Sequence, residues 1–130
     1  MAVFYGQNVL DKGLEYIGSN CNEMRLLSAY SVGDTYATVV TNTVCLVAMV
    51  PGDYTIGNQG TNGRETIVQA KAGTASADSG ATPNLHVALT YSAGTEVVVV
   101  TDETSDQEIT NGNPVNFPSW RAKMNQPILV

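Results

Sequence analysis

Charge is what this chain has least of. Charged residues fill 14% of its 130 positions, well under the usual quarter. Six bases (Lys12, Arg25, Arg64, Lys71, Arg121 and Lys123) stand against twelve acids, for a net charge of −6. Counterion release from a nucleic acid needs clustered Lys and Arg, and these bases are scattered, so direct DNA or RNA binding is excluded as a reading. On net charge alone, a basic partner surface suits the chain better than an acidic one. One histidine and two cysteines, without paired spacing, do not make a zinc site. Cys21 and Cys45 read as free, buried thiols of a reducing compartment, with a single bridge between them as the alternative. The longest apolar stretch, residues 39–50, is interrupted by Thr41-Asn42-Thr43 and stops at Pro51, too short to cross a bilayer. The opening Met1-Ala2-Val3-Phe4-Tyr5 lacks the basic start and long apolar core of a secretory signal. A chain made in a cytoplasm, with no membrane contact, is expected.

What is present is strand-forming sequence. Leu85, Val87, Leu89 and Tyr91 alternate with His86, Ala88 and Thr90; Ser92-Ala93-Gly94-Thr95 supplies a turn, and four consecutive valines follow at 97–100. β-branched side chains are stiff at χ1 and fit a pleated surface, so the valine run predicts a strand buried on both faces. Residues 24–30, 43–50, 65–72 and 114–120 add further strand candidates, and 35–42 fits either a strand or a short helical turn. Pro51-Gly52-Asp53, Asn62-Gly63 and Asn111-Gly112 are turn signals. Residues 57–63 and 73–84 read as loops, the second with room for a short edge strand. Near the N-terminus, Val9, Leu10, Leu14 and Ile17 fall on one face of a helix that Gln7 or Asn8 would begin and Gly18-Ser19-Asn20 would end. Gly13 weakens that helix by about 1 kcal/mol relative to Ala.

Six to eight short strands at roughly ten-residue spacing, with one short N-terminal helix, predict a mainly β, antiparallel sandwich or barrel-like domain rather than parallel βαβ units. The length suits a single domain over residues 1–130, with apolar tails at 1–7 and 122–130 as arms for a neighbouring subunit. Low charge also fits a surface partly covered by other subunits, since interface centres are depleted in charge.

Candidate chemistry is thin. Asp102, Glu103, Asp106 and Glu108 put four acids near one turn, but without the glycine and oxygen spacing of a calcium loop; a solvated turn is the simpler reading. His86 has no sequence-identifiable carboxylate or nucleophile to work with. No Gly-x-Ser-x-Gly elbow occurs. The Gly57-Asn58-Gln59-Gly60 stretch lacks the Lys, the Ser/Thr and the helix of a phosphate cradle. Trp120 and the six tyrosines suit a sugar platform, or a core and subunit contacts, equally in kind. No catalytic, cofactor-binding or metal residue is expected. Partner contacts are expected at Val3, Phe4, Tyr5, Trp120, Ile128, Leu129 and Val130, and recognition at loops, edges or tails.

The order of these pieces resembles small structural proteins of tailed bacteriophages that decorate or cement the head. The likeness is carried by the 9–17 helix, the 24–30 strand, Val47-Ala48-Met49-Val50-Pro51-Gly52-Asp53-Tyr54, Asn62-Gly63-Arg64, Val68-Gln69-Ala70-Lys71-Ala72-Gly73 and the final strands to Trp120. It covers most of the chain with no chemically specific motif. The resemblance implies a non-enzymatic virion protein on the capsid surface, assembled in the bacterial cytoplasm, with the major capsid protein as partner. Shell symmetry favours a homo-oligomer, a trimer first. A tail, neck or head-completion component and a lectin-like receptor-binding module are the alternatives.

Overall fold

The structure is a computed structural model that describes residues 4–59, 63–103 and 105–125. The chain runs α1 (Gln7–Asn20), β1 (Glu23–Leu27), α2 (Tyr36–Thr41), β2 (Thr43–Ala48), a 3-10 turn (Pro51–Asp53), β3 (Tyr54–Asn58), β4 (Gly63–Val68), β5 (Lys71–Thr74), β6 (His86–Tyr91), β7 (Glu96–Asp102), β8 (Pro114–Phe117) and β9 (Trp120–Asn125). Every strand pairing is antiparallel. The sheets are open and sandwich-like rather than closed into a barrel: four strands in the order β2-β1-β6-β7, three in the order β3-β4-β9, and the pair β5-β8.

One main core joins them. Met24 and Leu26 of β1, Val44, Cys45 and Val47 of β2, and Val87 and Leu89 of β6 meet Leu14 and Ile17 of α1, Val68 of β4, Phe117 of β8 and Ala122 of β9. The opposite face of the four-stranded sheet is covered by α2, where Val39 packs on Leu27 and Ala88 in a small second cluster. This explains why β1 and β6 are buried along nearly their whole length: both faces are occupied. Thr35 starts α2, its hydroxyl accepting from the Thr38 N–H at 3.2 Å, the usual service of an N-cap threonine.

The helix α1 lies against β3, β4 and β9, tied by Arg64, whose Nε and Nη2 donate to the two Asp11 carboxylate oxygens at 2.6 and 3.1 Å. Its buried stripe is Leu10, Leu14 and Ile17. Val9 does not join it and stands 60% exposed, because a 100° step per residue carries it off the side of an i, i+4, i+7 stripe. The helix ends at Asn20, within the expected Gly18-Ser19-Asn20 stretch, and Gly18 brings it close to the Tyr54 side chain. Gly13 has a packing reason too, since a Cβ there would stand 2.7 Å from Met124 Sδ.

Three expectations are revised. The valine run forms β7, but as the outermost strand of its sheet, and all four valines are half-buried instead of fully buried. Thr90 pairs with Val97 and Leu89 with Val99, leaving Val98 as an extra residue in a β-bulge. Val98 and Val99 therefore both reach the main core, while Val97 and Val100 reach the second cluster. Secondly, the Gly/Asn-rich stretch is no simple loop: Gly57 and Asn58 belong to β3, and the Gln59 N–H donates to the Gly63 carbonyl across the hairpin. Thirdly, residues 122–125 are not a tail but most of β9, registered on β4 with Thr66 opposite Ala122 and Glu65 opposite Lys123. At the other end, Gln7 is already helical. Asn62 lies outside the described residues.

Candidate functional site

The residues expected to meet a partner occupy different settings. Phe4 and Tyr5 precede α1 and are exposed by 79% and 45%. Val3, Ile128, Leu129 and Val130 lie outside the described residues. Trp120 opens β9 opposite Val68 and packs on the main core. Its indole Nε1 is buried with no hydrogen-bond partner among the described residues, while the residue as a whole is half-buried.

The candidate chemical groups are tied up in the fold. Asp106 Oδ1 accepts the Leu85 N–H at 2.8 Å, and Glu103 Oε1 accepts the Ser105 N–H at 3.1 Å. These bonds tie Glu103 and Asp106 to neighbouring main chain, and no group of three or more His, Cys, Asp or Glu among the described residues could hold a metal ion. His86 stacks at a tilt on Tyr30 with ring centroids 5.5 Å apart, and its Nε2 lies 3.8 Å from Asp102 Oδ1. Cys21 and Cys45 are free and buried. Burial pushes the Cys21 thiol up to about 12, with the Glu96 carboxylate adding to the effect; burial also raises Cys45. Thiols held protonated are poor nucleophiles.

One polar cluster escaped the sequence reading. Arg25, 6% exposed, donates to Thr90 and Thr43 hydroxyls at 3.2 Å each and to Glu23 at 3.0 Å. Glu23 Oε1 accepts from Tyr36 and Thr90 hydroxyls at 3.1 Å, and the guanidinium lies 5.7 Å from the Tyr36 ring centroid. The partners come from β1, α2, β2 and β6, so only the fold brings them together. The two charges meet each other and hydrogen-bond to side chains of the same cluster, which is the form a structural anchor takes.

Open surface is found at the sheet margins. Among the described residues β7 pairs only with β6 and β9 only with β4, so within these each leaves one main-chain edge without a strand partner. These free edges flank a groove of about 310 Å³. Residues 99–101 of β7 form one wall and residues 120–124 of β9 the other, with the buried Leu14 and Ile17 of α1 beneath them. Successive strand residues point to opposite faces. Consecutive residues lining a groove from both sides mean that the strand edges themselves, with their N–H and C=O groups, border it. A separate cleft of about 360 Å³ lies between Ser105, Gln107 and Ile109 on one side and β8 on the other, lined also by Leu85, Val87, Phe117 and Glu103.

No helix among the described residues is long and apolar enough to cross a membrane. Compared with protein-family models, with curated proteins and with solved structures, the chain matches none.

Proposed function

We propose that this chain is a non-enzymatic structural subunit of a bacteriophage head, decorating or cementing the capsid by binding between capsid subunits. The observation that carries the reading is the pair of free strand edges, on β7 and β9, facing one groove. Free edges of this kind bind other chains through main-chain hydrogen bonds and need no reactive group. A low charge density supports it as well, because subunit contacts exclude unpaired charge. The shell presents local three-fold sites, so the proposed working form is a closed trimer with the major capsid protein as partner. Phe4 and Tyr5, exposed ahead of α1, add apolar contact area to such an assembly.

The test is stoichiometric. Purified heads stripped of accessory proteins are mixed with the chain, and bound copies are counted after sedimentation. Hundreds of copies per particle follow for a decoration role, while about a dozen or fewer would point to a tail, neck or head-completion ring. No binding to heads, together with a monomer by light scattering at high concentration, would remove the reading.

A further inference from the structure

We infer that the groove between β7 and β9 is a strand-acceptor site for an extended segment of a partner protein that carries acidic side chains. The inference rests on the reading above for the partner's identity as a capsid component, but the site itself is argued from the groove.

The main chain comes first. An added strand would find β7 on one side and β9 on the other, two edges that have no further strand partner among the described residues. Pairing of a partner segment with such an edge is strand addition. Side-chain burial points the same way. Residues 97–100 are valines on a strand whose composition suits cover on both faces, yet all four stay half-buried. A further strand beside them would complete that cover. Val99 and Val100, half-buried in the wall of the groove, offer apolar surface to such a segment.

Charge then selects the occupant. The chain carries net −6, but no acidic residue lines this groove, whereas Arg121 and Lys123 of β9 do. Arg121 is 57% exposed at its side chain and reaches Glu65 at 2.9 Å. Lys123, exposed, makes no ion pair among the described residues. The groove is thus a local exception to the acidic surface, and the segment that complements it alternates apolar with acidic residues.

The probe is a short synthetic peptide of alternating valine and glutamate, with a valine–lysine peptide as its counterpart, titrated against the full chain. Amide exchange is followed on β7 and β9. Binding of the glutamate peptide should slow exchange at residues 99–101 and 121–124, and its affinity should exceed that of the lysine peptide by about tenfold or more. Lys123→Gln, checked for an unchanged melting profile, should remove most of that preference, and an N-methylated glutamate peptide should not bind. Equal affinity for the two peptides, protection elsewhere than β7 and β9, or an undiminished preference in Lys123→Gln would overturn the proposal. Protection of both edges that rises with protein concentration in the absence of peptide would also overturn it, since a second copy would then be the occupant. Heads that bind wild type and Lys123→Gln alike, with the glutamate peptide failing to compete, would overturn the groove assignment and leave the structural role standing. Heads that bind neither, while the glutamate peptide is held at β7 and β9, would leave the groove assignment standing and remove the capsid as partner.

Discussion

Glu23 and Arg25 sit two positions apart on β1, side by side on the face covered by α2, and their charges meet at 3.0 Å with 17% and 7% of each side chain exposed. Two such charges withdrawn from water are held only by each other and by the hydroxyls of Tyr36, Thr43 and Thr90. Arg25→Ala leaves the Glu23 carboxylate without its cation. The expected cost is about 3 kcal/mol, the scale for breaking one side of a buried pair, read from urea denaturation. Replacing both residues with apolar ones of similar size should cost distinctly less than Arg25→Ala alone. A single substitution costing under about 0.5 kcal/mol would show the pair to be solvated after all.

Glycines give a second, signed set of outcomes. Gly18→Ala adds a Cβ at an ordinary 3.4 Å from Tyr54 Cβ, so the helix gains up to about 1 kcal/mol of propensity. A Cβ at Gly63 would overlap the Met124 carbonyl oxygen, a backbone atom that cannot swing aside. Gly63→Ala is expected to cost about 1–3 kcal/mol and to speed amide exchange along β4 and β9. Similar melting temperatures for the two variants would contradict this packing of α1 and β9 on β4.

Acid should weaken the fold partly through Asp53. Burial alone would raise its pKa, but the Val50 N–H and the Lys71 ammonium outweigh it, and the carboxyl ends below its ordinary value. The folded state then binds its proton less tightly than the unfolded chain does. The stabilisation is therefore complete above the unfolded value near pH 4 and is lost as pH falls through the lower folded one. Asp53→Asn should remove roughly 1 kcal/mol at neutral pH and make stability less steep below pH 4, measured by denaturant midpoints across pH.

The thiols test the other end of the scale. Cys21, 2% exposed, has its thiol pushed up from 9.0 to about 12 by burial and Glu96. A raised value means stability is complete below pH 9 and falls above it as the unfolded thiol ionises first. Cys21→Ala should therefore hold its stability better than wild type between pH 9 and pH 10, where the tyrosines contribute equally to both proteins. In the native protein both thiols should resist a disulfide reagent and then react fully in denaturant. Fast native labelling of either one would refute their burial.

Some of this was legible in the residues and some was not. The alternation at 85–91 and the valines at 97–100 give β6 and β7 because side-chain period is a local property. That β7 stands at an edge is decided by strand order, which no local period encodes. The Arg25 cluster draws on Glu23, Tyr36, Thr43 and Thr90, up to 67 positions apart, and nothing short-range marks it. β3 was hidden because Gly57 and Asn58 are poor strand formers, kept extended by pairing with Glu65 and Arg64. Residues 122–125 read as a tail for a related reason: the exposed Lys123, Met124 and Asn125 disguise a strand made by register with β4. At the groove, Trp120 was visible as an aromatic, but Lys123 gained meaning only once β9 lay across from β7.

The extra residue at Val98 bears on colloidal behaviour. An unbroken run of valines along an open margin is a template for endless lateral growth into fibres. Here the ladder slips by one position between Leu89 and Thr90, so a second copy's β7 laid alongside would keep step over one half of the strand only. Growth by like-on-like stacking is penalised, while a stretch of three residues beyond the slip stays available to a short guest. A single inserted residue thus separates being sticky toward one target from being sticky toward itself.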